Sequence, residues 1–238
     1  MPTESTSSSP LGHATRVAPR IGPNPTPLPP TVMSVYRSVS SSAVSDQVGR
    51  LWTMDSGIKP LNPAMPRLAG IAITVKAPPG DNWAVYGGLS RAFPSSVLII
   101  DWRGHTESCA GGEKVLLPAL QRGLAGIVVD GAWRDIDEVT TREFPILGRS
   151  TSPYSPAKRD LGEINVPVSC GGVVVEPGDV VVGDANGVAV VPRRCAEEIA
   201  WALADGMADS GANDEAMVSS IEKLFESAIA ARHSEHKC

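Results

Sequence analysis

A chain of 238 residues, 42% hydrophobic and 20% charged, has the make-up of a globular protein with one sizeable core or two small ones. Its net charge is -5 and no basic block interrupts it, which argues against nucleic acid as a partner. Four scattered cysteines without a C-x-x-C pair, no apolar run of membrane-spanning length and no signal-peptide core point to reduced thiols, no membrane partner and a cytoplasmic setting.

Residues 1–30 are rich in Ser, Thr and Pro and show no hydrophobic period, so they are expected to form a flexible arm, with wrapping of a neighbouring subunit as the functional alternative. Residues 31–51 read as helix in two pieces, with Val44, Val48 and Leu51 at helical spacing and serines and Asp46 available as caps. A proline-rich connection follows at 57–66. Residues 68–76 form a strand, and Pro78-Pro79-Gly80-Asp81-Asn82 a turn in which Asp81 or Asn82 caps a helix through Phe93. That turn lies at a strand's carboxyl end. Residues 97–101 make a second buried strand.

The run from Arg103 to Lys114 is a Gly-rich approach to a helix reaching about Arg122. Gly111 and Gly112 allow close backbone approach. The amides of Gly112, Glu113, Lys114 and Val115 are first-turn donors, which suits either an anion site or a plain loop-to-helix joint.

Residues 123–138 are the stretch around which the chain is organised. Ile127, Val128 and Val129 form a β-branched run like a buried parallel strand, and Asp130-Gly131 is expected to turn it. Asp135, Asp137 and Glu138 suit the first turn of a helix. Arg134 opposes the helix dipole there, so another interaction is expected to favour it. An Arg beside an Asp at the carboxyl end of a parallel strand sits where α/β proteins place ligands. Arg grips carboxylates with paired hydrogen bonds, and Asp holds hard metal ions.

Beyond it come a short strand at 144–147 and a loop at 153–162 that carries Lys158 and Arg159. Four short strands at 165–169, 173–176, 180–184 and 188–191, separated by glycine turns, are expected to form a β-rich meander. The tail from 194 to about 232 reads as helix with breaks near Gly206 and Gly211. His233, His236 and Cys238 read as a frayed end rather than a metal site, and neither His13 nor His105 has an assignable partner.

Gly112-Glu113, then Gly123-x-x-Gly126, then Val129-Asp130-Gly131-x-x-Arg134-Asp135-x-x-Glu138 resembles the core signature of the RraA-like proteins. That family includes the class II aldolases for 4-hydroxy-4-methyl-2-oxoglutarate and 4-carboxy-4-hydroxy-2-oxoadipate. Further matches are Pro78-Pro-Gly-Asp-Asn82, Lys158-Arg159-x-x-Gly162-Glu163-x-Asn165, Gly171-Gly-Val-Val-Val-x-Pro177-Gly178-Asp179 and Asp184-x-x-Gly187-Val188. Together they span roughly residues 40–205.

The resemblance implies one α/β/β sandwich domain, similar to the swivelling phosphohistidine-type domain, at 31–205. The arm at 1–30 and a helical extension at 206–238 flank it. It further implies a homotrimer or homohexamer and a divalent-metal lyase acting on a small 2-oxo acid through a pyruvate enolate, with oxaloacetate decarboxylation alongside. Asp135 would be the direct ligand of magnesium or manganese, and Arg134 would bind the substrate's carboxylate or carbonyl oxygen. The backbone of Gly112, Glu113, Lys114 and Val115 would hold the pyruvyl carboxylate, and Glu113 would take part in proton transfer. The chain departs from the family at Lys114, where relatives are apolar, at Trp133, where they carry a smaller residue, and at Asp101-Trp102-Arg103-Gly104. These positions are expected on the cleft wall. The alternatives are another metal-dependent lyase reaction on the same scaffold and a non-catalytic, ribonuclease-inhibiting binding protein. A third label attached to the family, quinone methyltransferase, finds no Gly-rich nucleotide motif in this chain.

Overall fold

In a computed structural model the described residues are 18–62, 65–209, 222–227 and 229. The early part of the expected arm, His13, Gly211, His233, His236 and Cys238 lie outside them. Chain order is α1 (Pro30–Ser38), α2 (Ser41–Val48), β1 (Lys59–Pro60), β2 (Leu68–Lys76), α3 (Trp83–Arg91), β3 (Ser96–Cys109), α4 (Glu113–Gln121), β4 (Gly126–Trp133) and α5 (Ile136–Thr141). Then follow β5 (Ile146–Gly148), β6 (Ser150–Thr151), β7 (Glu163–Ile164), β8 (Val168–Cys170), β9 (Val173–Val175), β10 (Val180–Asp184), β11 (Gly187–Val191) and α6 (Ala196–Asp209).

The two-piece helix is present. Pro30 opens α1, where its missing N–H costs nothing, and the Ser40 hydroxyl caps α2 by accepting from the Ala43 amide at 3.2 Å. Gly49, at φ 79°, ends α2.

The main sheet runs β1-β5-β4-β3-β2-β10-β11, with β6 added to β4 and β7 to β2. Strands β2, β3, β4 and β5 are mutually parallel, and β10 joins β2 antiparallel. The sheet curls until its edges nearly meet. The Lys59 ammonium donates to the Asn186 carbonyl at 2.6 Å, and the Met54 amide to the Val188 carbonyl at 2.9 Å.

Side-chain alternation along each strand divides the apolar residues between three cores. Leu68, Ala72, Val97, Ile99, Val128 and Val181 face inward, under the β8–β9 hairpin with Val168, Cys170, Val173 and Val175. Ile73, Val75, Leu98, Ile100, Ile127 and Val129 face α3, α4 and α5. Ala69, Ile71, Val180, Val182 and Ala189 face α1, α2 and α6.

Several expectations change. The carboxyl half of β3 is not a Gly-rich loop: the strand continues to Cys109 with two register shifts, pairing His105 with Gly131 and Cys109 with Ala132. Asp130-Gly131 is therefore strand rather than turn, and the chain turns at Arg134-Asp135. A Cβ on Gly131 would lie 2.3 Å from Trp102 Cδ1, so close packing against Trp102 requires the glycine. The four strands at 165–191 are not one meander. β8 and β9 form a separate hairpin through Gly171-Gly172, both at positive φ, while β10 and β11 extend the main sheet. Gly206 does not break α6, so the expected boundary at 205–206 falls inside a helix.

Residues 18–29, expected to be loose, lie against the domain. The Gly22 amide donates to the Ile164 carbonyl at 2.8 Å, the Ile164 amide to the Arg20 carbonyl at 3.0 Å, and Leu28 is buried beside α1. Glu163 accepts from Arg20 Nε at 2.9 Å and Lys76 Nζ at 3.0 Å. The Arg20 bond and then the Lys76 bond bring its carboxyl down to about 2 from an ordinary 4.5.

A folded-state value below the unfolded one stabilises the fold above pH 4.5, and that stability is lost as pH falls through about 2. Glu163→Gln is expected to flatten the acid limb of a denaturation profile across that window and to speed proteolysis at 18–22. A superimposable acid limb would contradict the assignment.

Candidate active site

The site forms where the carboxyl end of β4 meets the first turn of α4. Neighbouring parallel strands β3 and β4 bring these two segments together, and the Arg134 amide donates to the Gly111 carbonyl at 3.1 Å. Asp135 then adopts left-handed backbone angles, φ 57° and ψ 48°, as the residue before α5. Asp tolerates this region better than most residues, at a cost of about 1–2 kcal/mol. Its Oδ2 accepts a hydrogen bond from the Glu113 amide at 2.8 Å and lies 3.6 Å from Arg134 Nε.

Gly111 and Gly112 make this contact possible. A Cβ on Gly112 would lie 2.3 Å from Asp135 Oδ2, and one on Gly111 would lie 2.4 Å from the Trp133 ring. The first-turn amides are therefore divided. Glu113 gives its amide to Asp135, and Val115 donates to the Gly112 carbonyl at 2.8 Å. The Gly112 and Lys114 amides have no protein acceptor among the described residues. The expected four-amide anion cradle is thus a two-amide one, because the carboxylate of Asp135 occupies part of it. The Glu113 carboxylate is half exposed and lies 4.0 Å from Arg142 Nη2.

Arg134 Nη1 donates to Ser155 Oγ at 2.7 Å. A polar cavity of about 140 Å³ lies at this place, lined by Arg134, Lys114, Gly112, Asn82, Ser155 and Lys158 among others. Arg134 also borders a shallower cavity of about 310 Å³ shared with Asp135, Ile136 and Ser152. A larger cleft of about 800 Å³, between Pro19, Pro78 and Arg159, carries none of these groups apart from the neighbouring Asp81.

Asp81 and Asn82 hold two of the walls. Asp81 Oδ2 accepts from the Arg159 and Asp160 amides at 2.8 and 3.2 Å, and Oδ1 from the Trp83 amide at 3.1 Å. Asn82 Nδ2 donates to the Ala110 carbonyl at 2.9 Å. Of the two expected caps for α3, Asp81 supplies the bond while Asn82 occupies the cap position. Ser155, Lys158 and Tyr86 were not among the sequence candidates for the site. The Lys158-Arg159 motif was the available signal, but only folding shows that its loop returns to α4.

Trp133 and Trp102 do not line the cleft. Both are fully buried, because Trp133 shares the strand face of Ile127 and Val129, while Arg134 follows on the other side. Asp101 is buried under the hairpin, where burial pushes its carboxyl up and the Ser169 and Arg103 amides oppose the shift. His105 Nε2 accepts from the Ser108 amide at 3.2 Å and lies 3.0 Å from its hydroxyl. Burial pushes the Cys109 thiol up, so this cavity residue is a poor nucleophile, although Arg134 pulls the other way.

Among the described residues no three His, Cys, Asp or Glu side chains cluster. The donor at the head of α4 is one carboxylate with solvent access. That set suits a hard ion such as magnesium, which keeps several waters, and does not suit zinc.

A family model described as RraA-like, Aldolase/RraA, matches residues 41–190. A Halalkalibacterium halodurans protein with the provisional name 4-hydroxy-4-methyl-2-oxoglutarate aldolase is 39% identical over 186 residues, 78% of this chain and 88% of that protein. An uncharacterized protein from Pseudomonas syringae pv. tomato superposes with a TM-score of 0.69 at 26% identity, covering 82% of this chain and 95% of that one. Streptomyces coelicolor RraAS2, described as an unusual member of the RNase ES inhibitor RraA protein family, also superposes with a TM-score of 0.69. It is 28% identical and the match covers 78% of this chain and 96% of that one.

Gly112→Ala is expected to lower unfolding free energy by about 1–3 kcal/mol through overpacking against Asp135. It should also speed hydrogen exchange at the Glu113 amide. Unchanged exchange in that variant would show that the Asp135 contact does not depend on the glycine.

Proposed function

The chain belongs to the RraA-like family, and on that premise we propose that it is a divalent-metal-dependent lyase that cleaves a 2-oxo acid through a pyruvate enolate. The observation that carries the proposal is the junction at which Arg134 and the first-turn amides of α4 line one polar cavity, while Asp135, bonded to the Glu113 amide, borders a second cavity that Arg134 shares. A protein that acted only by binding a ribonuclease has no use for a guanidinium shared by two cavities, with spare amides in one and a carboxylate in the other. That alternative is what the description of the Streptomyces relative names.

Asp135 is the residue that would hold magnesium or manganese, the bound ion supplying Lewis-acid stabilisation of the enolate charge. The Gly112 and Lys114 amides orient the pyruvyl carboxylate at the positive end of α4. Arg134 is fixed by Ser155 and donates to the oxygen on which charge develops. Glu113 accepts the proton of the C4 hydroxyl. The C3–C4 bond then breaks, its electron pair forms the enolate, and the second product leaves as a carbonyl compound. Protonation at C3 releases pyruvate. Oxaloacetate reaches the same enolate by losing carbon dioxide, so decarboxylation belongs to the proposal. So does assembly as a trimer or a pair of trimers.

The test is pyruvate release from 4-hydroxy-4-methyl-2-oxoglutarate and from oxaloacetate, with magnesium and then with a chelator. Chelator-sensitive release is expected. No release from either substrate, together with tight ribonuclease binding, would reverse the choice. Asp135→Asn keeps the left-handed backbone and an acceptor for the Glu113 amide but removes the charge. It should retain under about 1% of turnover, the scale on which one fixed electrostatic contribution acts. Arg134→Lys should lose about 100-fold, because an ammonium cannot reproduce the planar fork. Near-normal rates in either variant would remove that residue from its role.

A further inference from the structure

Arg134 borders both cavities, and its guanidinium is only partly engaged by the protein. Ser155 Oγ accepts from Nη1 at 2.7 Å. Nε is buried without a hydrogen-bond partner, because Asp135 Oδ2 lies 3.6 Å away, beyond hydrogen-bond reach. Nη2 likewise has no acceptor among the described residues. In a planar guanidinium Nε–H and one Nη2–H point in parallel along one edge, the edge that grips two oxygens at once. Ser155 thus takes the outer end of Arg134 and leaves that edge open. Gly112 gives the edge room, since a Cβ there would lie 3.1 Å from Nε. A buried N–H without an acceptor is costly, so a ligand oxygen at this edge is favoured.

The residue that aims this edge is itself held on both sides. Ser155 lies between Pro153 and Pro156, whose rings fix their own φ, and the proline that follows keeps Ser155 extended. On one side the Ser152 amide donates to the Trp133 carbonyl at 2.9 Å, and the Cys109 amide to the Tyr154 carbonyl at 3.0 Å. On the other the Ala157 amide donates to the Gly80 carbonyl at 2.7 Å, and the Asn82 amide to the Ala157 carbonyl at 3.0 Å. The loop that carries the hydroxyl is thus tied to β3, β4 and the turn before α3 at once. We infer that Ser155 is a positioning residue: its hydroxyl holds Nη1 so that the Nε–Nη2 edge of Arg134 meets the carboxylate or enolate oxygens of the substrate. The inference rests on the function proposed above and adds which edge of Arg134 binds and what aims it. Ser155 acts through Arg134, by fixing the guanidinium before charge develops.

The test uses the full chain with magnesium present, as wild type, Ser155→Ala and Ser155→Thr. Pyruvate release from whichever substrate wild type cleaves gives kcat and KM, and the NMR resonance of the Arg134 Nε–H is followed as pyruvate is added. Ser155→Ala should lower kcat about tenfold, the scale of one hydrogen bond to a charged group, with KM changed by less than about twofold. Pyruvate should move the Nε–H resonance downfield in wild type and much less in Ser155→Ala. Ser155→Thr keeps the hydroxyl on a residue suited to extended backbone and should recover both readouts. Wild-type kcat and an undiminished Nε–H response in Ser155→Ala overturn the positioning role and leave the proposed chemistry intact, as does a loss that threonine fails to recover. Turnover in wild type without a shift overturns the assignment of the Nε–Nη2 edge. A shift without turnover upholds that edge and rejects the cleavage. Neither turnover nor a shift in wild type overturns the reading of the site, and the role of Ser155 with it.

Discussion

The hydrogen bond from the Glu113 amide to the Asp135 carboxylate ties the end of β4 to the start of α4, and the site depends on that junction. It forms against a cost. Left-handed backbone at Asp135 takes about 1–2 kcal/mol, and each glycine at 111 and 112 gives up roughly 0.5–1 kcal/mol of chain entropy. A hydrogen bond to a charged acceptor returns about 1.5–3 kcal/mol, which offsets the backbone strain but not the glycines as well. The surplus comes from the core beneath, where Trp133, Leu116 and Val115 are buried between β4 and α4. The strained turn is therefore held by packing, and the carboxylate is positioned before any ligand arrives.

A second group of polar contacts holds the β8–β9 hairpin to the sheet. Arg149 joins Asp130 on β4 to Asp55 before β1, with two bonds to Asp55 at 3.1 and 2.8 Å. Asp130 also accepts from the Gly171 amide at 3.1 Å and so fixes the β8–β9 hairpin over the inner core. The Arg149 bond holds the Asp55 carboxyl below its usual range. Cys170, closed in beneath the hairpin, is pushed well above the ordinary thiol value by burial, and the nearby Asp130 adds to the shift. It packs as a small apolar group. These acids are structural, although Asp101 and Asp130 stand near the carboxyl ends of parallel strands, where a ligand site is a common expectation. The hairpin covers that end of the sheet and leaves the β4–α4 junction open.

Strand alternation explains why neighbouring residues in the motif have unrelated roles. Trp133 enters the helix-facing core, and the next residue, Arg134, enters the polar cavity. A departure from the family pattern at Trp133 is thus a packing change against Gly111, whereas one at Lys114 changes the charge of the cavity itself.

The local sequence determined a good deal: the two-piece helix at 31–51, the strand at 68–76, the hairpin turn at Gly171-Gly172, and the pairing of Arg134 and Asp135 at a strand's end. Each rests on short-range physics, namely apolar period, cap chemistry and glycine at positive φ, which a few adjacent residues contain. Only the tertiary structure decided that β4 runs on through Asp130-Gly131, because that extension depends on pairing with the far half of β3. It alone brought the loop of Ser155 and Lys158 to α4 through Asp81 and gave the Glu113 amide to Asp135. It also anchored residues 20–22, whose contacts lie with Ile164 and Glu163. Those outcomes depend on partners more than twenty residues away, and a local pattern does not specify which distant group will satisfy a buried amide or carboxylate.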